Sequence, residues 1–136
     1  MIKFYPPVIT KVEAEKGKLS KDINISLKTK NLKVEKNVIT LEYDFIISYG
    51  KDSKIVLSGL IIGNGNEEEL KKFEEFWKEN NKLKEDLFVI LYNLLMSNLF
   101  NKIVEVADVV GLPAPVNLPL IKKEQLNKNT ENNKNQ

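Results

Sequence analysis

The chain has 136 residues and a net charge of +2, which is one domain's worth of sequence with no strong electrostatic bias. It contains no cysteine and no histidine, and all 21 of its basic residues are lysine. These absences exclude disulfides, thiolate nucleophiles, imidazole acid–base chemistry and the usual zinc and haem ligands, so no catalytic residue, metal or cofactor is expected. Without arginine the chain lacks the side chain best suited to clamp phosphate and read guanine edges, and no nucleic-acid partner is expected.

The start of the sequence, Met1 to Pro7, lacks the apolar core and cleavage site of a secretory signal, so a cytoplasmic protein is expected. Val8 to Ala14 alternates weakly between apolar and polar residues, and Lys16-Gly17-Lys18 punctuates it. Ile23, Ile25 and Leu27 then alternate with polar neighbours, the period of a strand with one wet face. Val38 to Tyr49 places Ile39, Leu41, Tyr43, Phe45 and Ile47 on one face. Gly50-Lys51-Asp52 supplies turn chemistry, and Ile55 to Ile62 returns as the partner strand of a hairpin.

The second half predicts helices. Asn66 with Glu69 three residues on resembles a capping pair, and Leu70, Phe73 and Trp77 form one apolar stripe, with Trp77 expected to pack under its helix. A longer helix is predicted from about Lys84 to Val110, stopped by Gly111 and Pro113. Its stripe Phe88, Tyr92, Leu95, Leu99, Ile103, Val106 and Val110 is expected to cover the sheet. The surplus residues Leu87, Ile90, Leu91 and Leu94 are then assigned to subunit contacts in a dimer or dimer of dimers. The most apolar window, Leu87 to Phe100, falls short of the ~20 residues a membrane span needs, so no membrane insertion is expected. Leu112 to Leu120 is a proline-stiffened apolar segment. The polar stretch from Lys122 to Gln136 predicts a disordered tail, with residues 1–121 forming the domain.

Motifs for chemistry are weak. Gly63-Asn64-Gly65 lies between a strand and a helix but lacks the residues of a P-loop or a dinucleotide fingerprint, so it reads as a connecting turn. Glu67, Glu68 and Glu69 suit the positive end of a helix. Glu42 and Asp44 share a strand face and read as a wet sheet surface.

The order of elements, a four-stranded antiparallel sheet followed by a short helix and a long one in an α+β fold, resembles the SecB family of export chaperones over about Tyr5 to Leu120. Gly111-Leu112-Pro113-Ala114-Pro115-Val116-Asn117-Leu118 is similar to that family's proline-spaced exit segment. Ile55 to Gly63 is similar to its fourth strand with a terminal glycine. The resemblance implies an ATP-independent holdase for unfolded client polypeptides, serving protein export or a toxin–antitoxin module. Tyr92-Asn93-Leu94-Leu95 departs from the family's Tyr-Ala-Arg-Glu, and Gly59 stands where the family carries a glutamate that contacts SecA, which makes docking to SecA doubtful.

The expected client groove is bordered by Ile23, Ile25 and Leu27, by Phe88 and Tyr92, and by Leu112, Leu118 and Leu120. A small apolar-ligand carrier and a structural oligomer or adaptor with one fixed partner are the competing readings.

Overall fold

The computed structural model describes residues 2–115 and contains β1 (Lys3–Phe4), β2 (Val8–Glu15), β3 (Asn24–Glu35), β4 (Val38–Ser48), β5 (Lys54–Asn64), α1 (Glu67–Asn80) and α2 (Glu85–Val110). Leu118, Leu120 and the predicted tail from Lys122 onward lie outside the described residues. The fold is α+β: an antiparallel sheet followed by two helices.

The sheet has five strands where four are predicted, because β1 and β2 share one edge. β1 pairs with β5 at Gly63 and Asn64, and β2 pairs with it from Leu60 to Lys54. Pro6 and Pro7 separate the two, since neither can donate to a ladder. The sheet is therefore four strands wide, with β2, β5, β4 and β3 in that order. The β2–β3 connection crosses the end of the β4–β5 hairpin to reach the far edge. The buried Ser53 anchors it by accepting from the Gly17 N–H at 2.9 Å and donating to the Lys18 carbonyl at 3.3 Å.

Strict alternation along β4 and β5 buries one face of the sheet. Ile39, Leu41, Tyr43, Phe45, Ile47, Ile55, Leu57 and Ile61 lie on it, each removed from water, and each such aliphatic or aromatic side chain contributes roughly 1.5–3 kcal/mol. The opposite face is mixed, with Thr40, Glu42, Asp44, Ser48 and Ser58 beside Val38, Ile46, Val56, Leu60 and Ile62, and no described element covers it.

Helix α1 begins where Asn66 Oδ1 accepts from the N–H groups of Glu68 at 2.9 Å and Glu69 at 3.3 Å, so the predicted cap is made by the asparagine side chain. It ends at Asn81 in the left-handed conformation. α2 ends at Gly111, also left-handed, whose N–H reaches back to the carbonyls of Ala107 and Asp108.

The buried row of α2 is Leu87, Leu91, Leu95, Leu99, Ile103 and Ala107, with Tyr92 and Met96 beside it. This corrects the predicted stripe and the assignment of Leu87 and Leu91 to subunit contacts, since both are fully buried within the chain. A row stepping by four drifts about 40° around the helix per step, which lets it stay in contact with a twisted sheet that the helix crosses obliquely. Phe88, Val106 and Val110 sit half-buried at its margins. By length and composition the whole helix could cross a membrane, which the shorter predicted window could not. Its role in this fold is as the core helix.

Candidate functional site

Most of β3 is a free edge. β4 pairs with it on one side, and no described strand pairs with it on the other. Alternate N–H and C=O groups along such a strand point outward. A bulge between Lys30 and Lys33, with Asn31 in the left-handed conformation, divides it. Beyond the bulge α1 closes the edge: Glu74 Oε2 accepts from the Val34 N–H at 2.8 Å, and the Glu74 carboxylate also pairs with Lys78 one turn on. The open stretch is Asn24–Lys30.

Beside that stretch lies a surface trough between β3, the end of α1 and the start of α2. Its first part, of about 500 Å³, has Leu27, Trp77, Leu83 and Phe88 as its apolar lining. Its second part, of about 490 Å³, continues past Trp77 along Leu32. Leu27 is placed there by its pairing with Phe45, and Phe88 by its ring contact with Tyr92 at 6.2 Å. Tyr92 lies edge-on to Phe45, with centroids 5.9 Å apart, and is buried beneath the trough, so burial pushes its phenol pKa up.

The predicted client residues are thus only partly brought together. Leu27 and Phe88 line the trough, Ile25 is half-buried on the same face, and Ile23 is exposed further along the chain. Tyr92 supports the floor without being accessible. Leu112 does not belong to the trough: it is buried at the far end of α2, roughly 33 Å from Phe88 by helix rise. There the Tyr49 hydroxyl donates to the Pro113 carbonyl at 2.8 Å, tying the exit segment to the end of β4. Trp77 and Leu83 were missed as site residues. The helical stripe Leu70, Phe73, Trp77 places Trp77 under its helix, and only the proximity of the β3 edge shows that it is half-buried in a trough. Of the proposed subunit contacts, Ile90 is exposed and Leu94 half-buried.

Groups that could have carried chemistry are engaged in structure. Asp44 Oδ1 accepts from the Ser58 hydroxyl at 2.6 Å, and Glu42 accepts from the Asn31 amide. Gly63 faces the ring of Phe4. Among the described residues no group of three or more acidic, cysteine or histidine side chains could hold a metal.

The architecture is that of a sheet layer with one face covered by a short and a long helix. It is similar to the Mycobacterium tuberculosis SecB-like chaperone Rv1957, solved in complex with a ChAD peptide from the Rv1956 HigA1 antitoxin, with a TM-score of 0.51, 10% identity, and coverage of 89% of this chain and 91% of that one. At that identity the likeness is one of fold. No protein-family model matches the chain, and no curated protein matches it.

Proposed function

We propose that the protein is an ATP-independent holdase that binds non-native polypeptides in an extended form along the free edge of β3. The observation that carries this reading is the juxtaposition of seven edge residues, Asn24–Lys30, that have no described strand on their outer side, with an open apolar trough containing Leu27, Trp77, Leu83 and Phe88. An unfolded segment adds backbone hydrogen bonds to such an edge and places alternate side chains in the trough. The fold likeness to a SecB-like chaperone solved with a peptide supports the same reading. On this reading the protein works in the cytoplasm, in export or toxin–antitoxin control, and self-associates through the α2 surface around Ile90 and Leu94.

The test is suppression of aggregation of several unrelated unfolding proteins in the absence of nucleotide. Broad, stoichiometric protection is expected, and Phe88→Ser should weaken it while leaving most of the melting temperature intact. Absence of protection, or protection indifferent to Phe88 in a folded variant, would sink the proposal.

A further inference from the structure

The bonding of β4 fixes which way each residue of β3 faces. The Tyr49 N–H donates to the Ser53 carbonyl at 2.8 Å, and the Asn37 carbonyl accepts from the Gly65 N–H at 2.9 Å, so the odd-numbered residues of β4 turn their backbone groups toward β5. The even-numbered ones therefore face β3, where Ser48, Ile46, Asp44 and Glu42 meet Asn24, Ser26, Lys28 and Lys30. Between these, Ile25, Leu27 and Thr29 turn N–H and C=O out from the sheet. The Val34 N–H, bonded outward to Glu74, follows the same order beyond the bulge. The side chains of these three residues share a face with their partners Ile47, Phe45 and Tyr43, all buried on the helix side. Leu27 and Thr29 line the trough itself. The same residues thus offer both the open backbone groups and the apolar side of the site.

We infer that the trough takes its segment antiparallel to β3, with apolar side chains at three alternate positions, excluding proline there and accepting it in between. This rests on the holdase reading and names the class of client. In an antiparallel ladder, residues directly opposite share a face and exchange both bonds. Client residues opposite Ile25, Leu27 and Thr29 then need their own N–H and place their side chains toward Leu27, Trp77, Leu83 and Phe88. The residues between them turn N–H to water beside Ser26 and Lys28, where proline or a polar side chain costs no ladder bond. A parallel segment splits these duties. Residues bonding the edge would send their side chains to the uncovered face, and those in the trough would leave the edge unbonded.

Two other occupants meet this rule less well. Pro113 is held at Tyr49, beyond the end of β4 where β3 begins, so residues 116–121 would reach the edge from its first residue and run parallel. With Val116, Leu118 and Leu120 in the trough, Asn117, Pro119 and Ile121 would have to bond the edge, and Pro119 has no N–H to give. A second copy paired antiparallel about Leu27 would offer only Ile25 and Leu27 as apolar side chains. Both are already half-buried against their own core, which leaves little apolar surface to add.

The probe is a capped peptide, Ser-Val-Ser-Leu-Ser-Phe-Ser, read by the emission of Trp77, the single tryptophan, which lines the trough. Moving one N-methyl group along it blocks one donor at a time. Methylation at the leucine should weaken binding about tenfold, through a lost edge bond and a methyl pressed against β3, whereas methylation at an adjacent serine should change it less than about twofold. Proline in place of one such serine should be accepted as well. At saturation, amide exchange of Ile25, Leu27 and Thr29 should slow by about tenfold or more, with Ser26 and Lys28, already bonded to β4, unchanged.

The reverse pattern, with serine methylation harmful and leucine methylation tolerated, would reveal a parallel segment and overturn the inference. Equal losses at both positions would show a trough that ignores the edge, and overturn it while leaving the holdase reading. A chain that suppresses aggregation while Trp77 and the three amides ignore the peptide would do the same. If aggregation is not suppressed either, the holdase reading falls with it. Protection of the three amides that grows with protein concentration, with no effect of peptide, would give the edge to a second copy and overturn the inference.

Discussion

The two edges of the sheet end in opposite ways. The β2 edge is broken up: Pro6-Pro7 interrupts it, a bulge between Ile9 and Lys11 bends it, and the Lys11–Glu13 ion pair sits on it. These are common devices that stop a sheet from growing. The β3 edge keeps a regular stretch from Asn24 to Lys30 and is closed only beyond its own bulge, where Glu74 reaches Val34. An edge left regular next to an apolar trough invites an added strand. The same fold thus blunts one edge by backbone irregularity and leaves part of the other regular.

The largest effect is expected from disturbing the blunted edge. At Gly59 the β2 bulge brings the Val8 carbonyl so close that a Cβ would lie 1.7 Å from its oxygen. No side chain fits, so the glutamate expected at this position from the SecB resemblance has no room in this sheet. Gly59→Val should push β2 off β5 and cost about 3 kcal/mol in urea denaturation, with hydrogen-exchange protection lost first over Val8–Glu15. A variant with wild-type protection along β2 would mean that the bulge does not hold this edge.

A smaller effect follows from Tyr43, which pairs with Gly59, so its ring lies where Gly59 has no side chain, and donates from its hydroxyl to the Val8 carbonyl at 3.0 Å. Burial pushes its phenol pKa from 10.0 up to about 12. Between those two values the unfolded chain has already lost the proton that the fold retains, so stability must fall as pH rises from 10 toward 12. The Tyr49 and Tyr92 phenols are raised by burial as well and add to the same slope. Tyr43→Phe should cost about 1 kcal/mol at neutral pH and flatten the alkaline decline in part. An unaltered pH profile would place the decline elsewhere.

How far the sequence revealed this arrangement depends on range. The β4 and β5 alternation, the Asn66 cap and the Gly111 stop are local signals, and each element lies where its own residues put it. β1 was not readable, because a two-residue strand has no period. The face of α2 was misjudged because so many of its residues are apolar that several stripes fit, and only the oblique crossing over the twisted sheet selects Leu87, Leu91 and Leu95. Leu27 and Phe88, one at the end of an alternating strand and the other at the start of the long helix, were named together from the sequence and do line the same trough. The place of Trp77 in that trough was not legible, since it arises from elements far apart in sequence that pack side by side.

The smallest expected effect would make the two edges more alike in openness. Glu74 is the carboxylate that stops the free edge at Val34, and it is partly buried there at 21% side-chain exposure while its partner Lys78 is largely in water. The ion pair itself contributes little, as exposed i,i+4 pairs do. The charge-assisted bond to the backbone N–H is the larger share. Glu74→Ala should therefore cost only about 0.5 kcal/mol, because water reaches an edge N–H and replaces part of the lost bond. Glu74→Gln keeps an acceptor and should cost about half of that. The consequence for the edge is the sharper readout. With Val34 released, the regular stretch gains a donor past the bulge, and the alanine variant should bind extended apolar peptides at least as tightly as the parent and self-associate more readily. If Glu74→Ala loses stability but gains neither peptide affinity nor self-association, then the bulge at Asn31 alone terminates the edge, and α1 contributes only a wall to the trough.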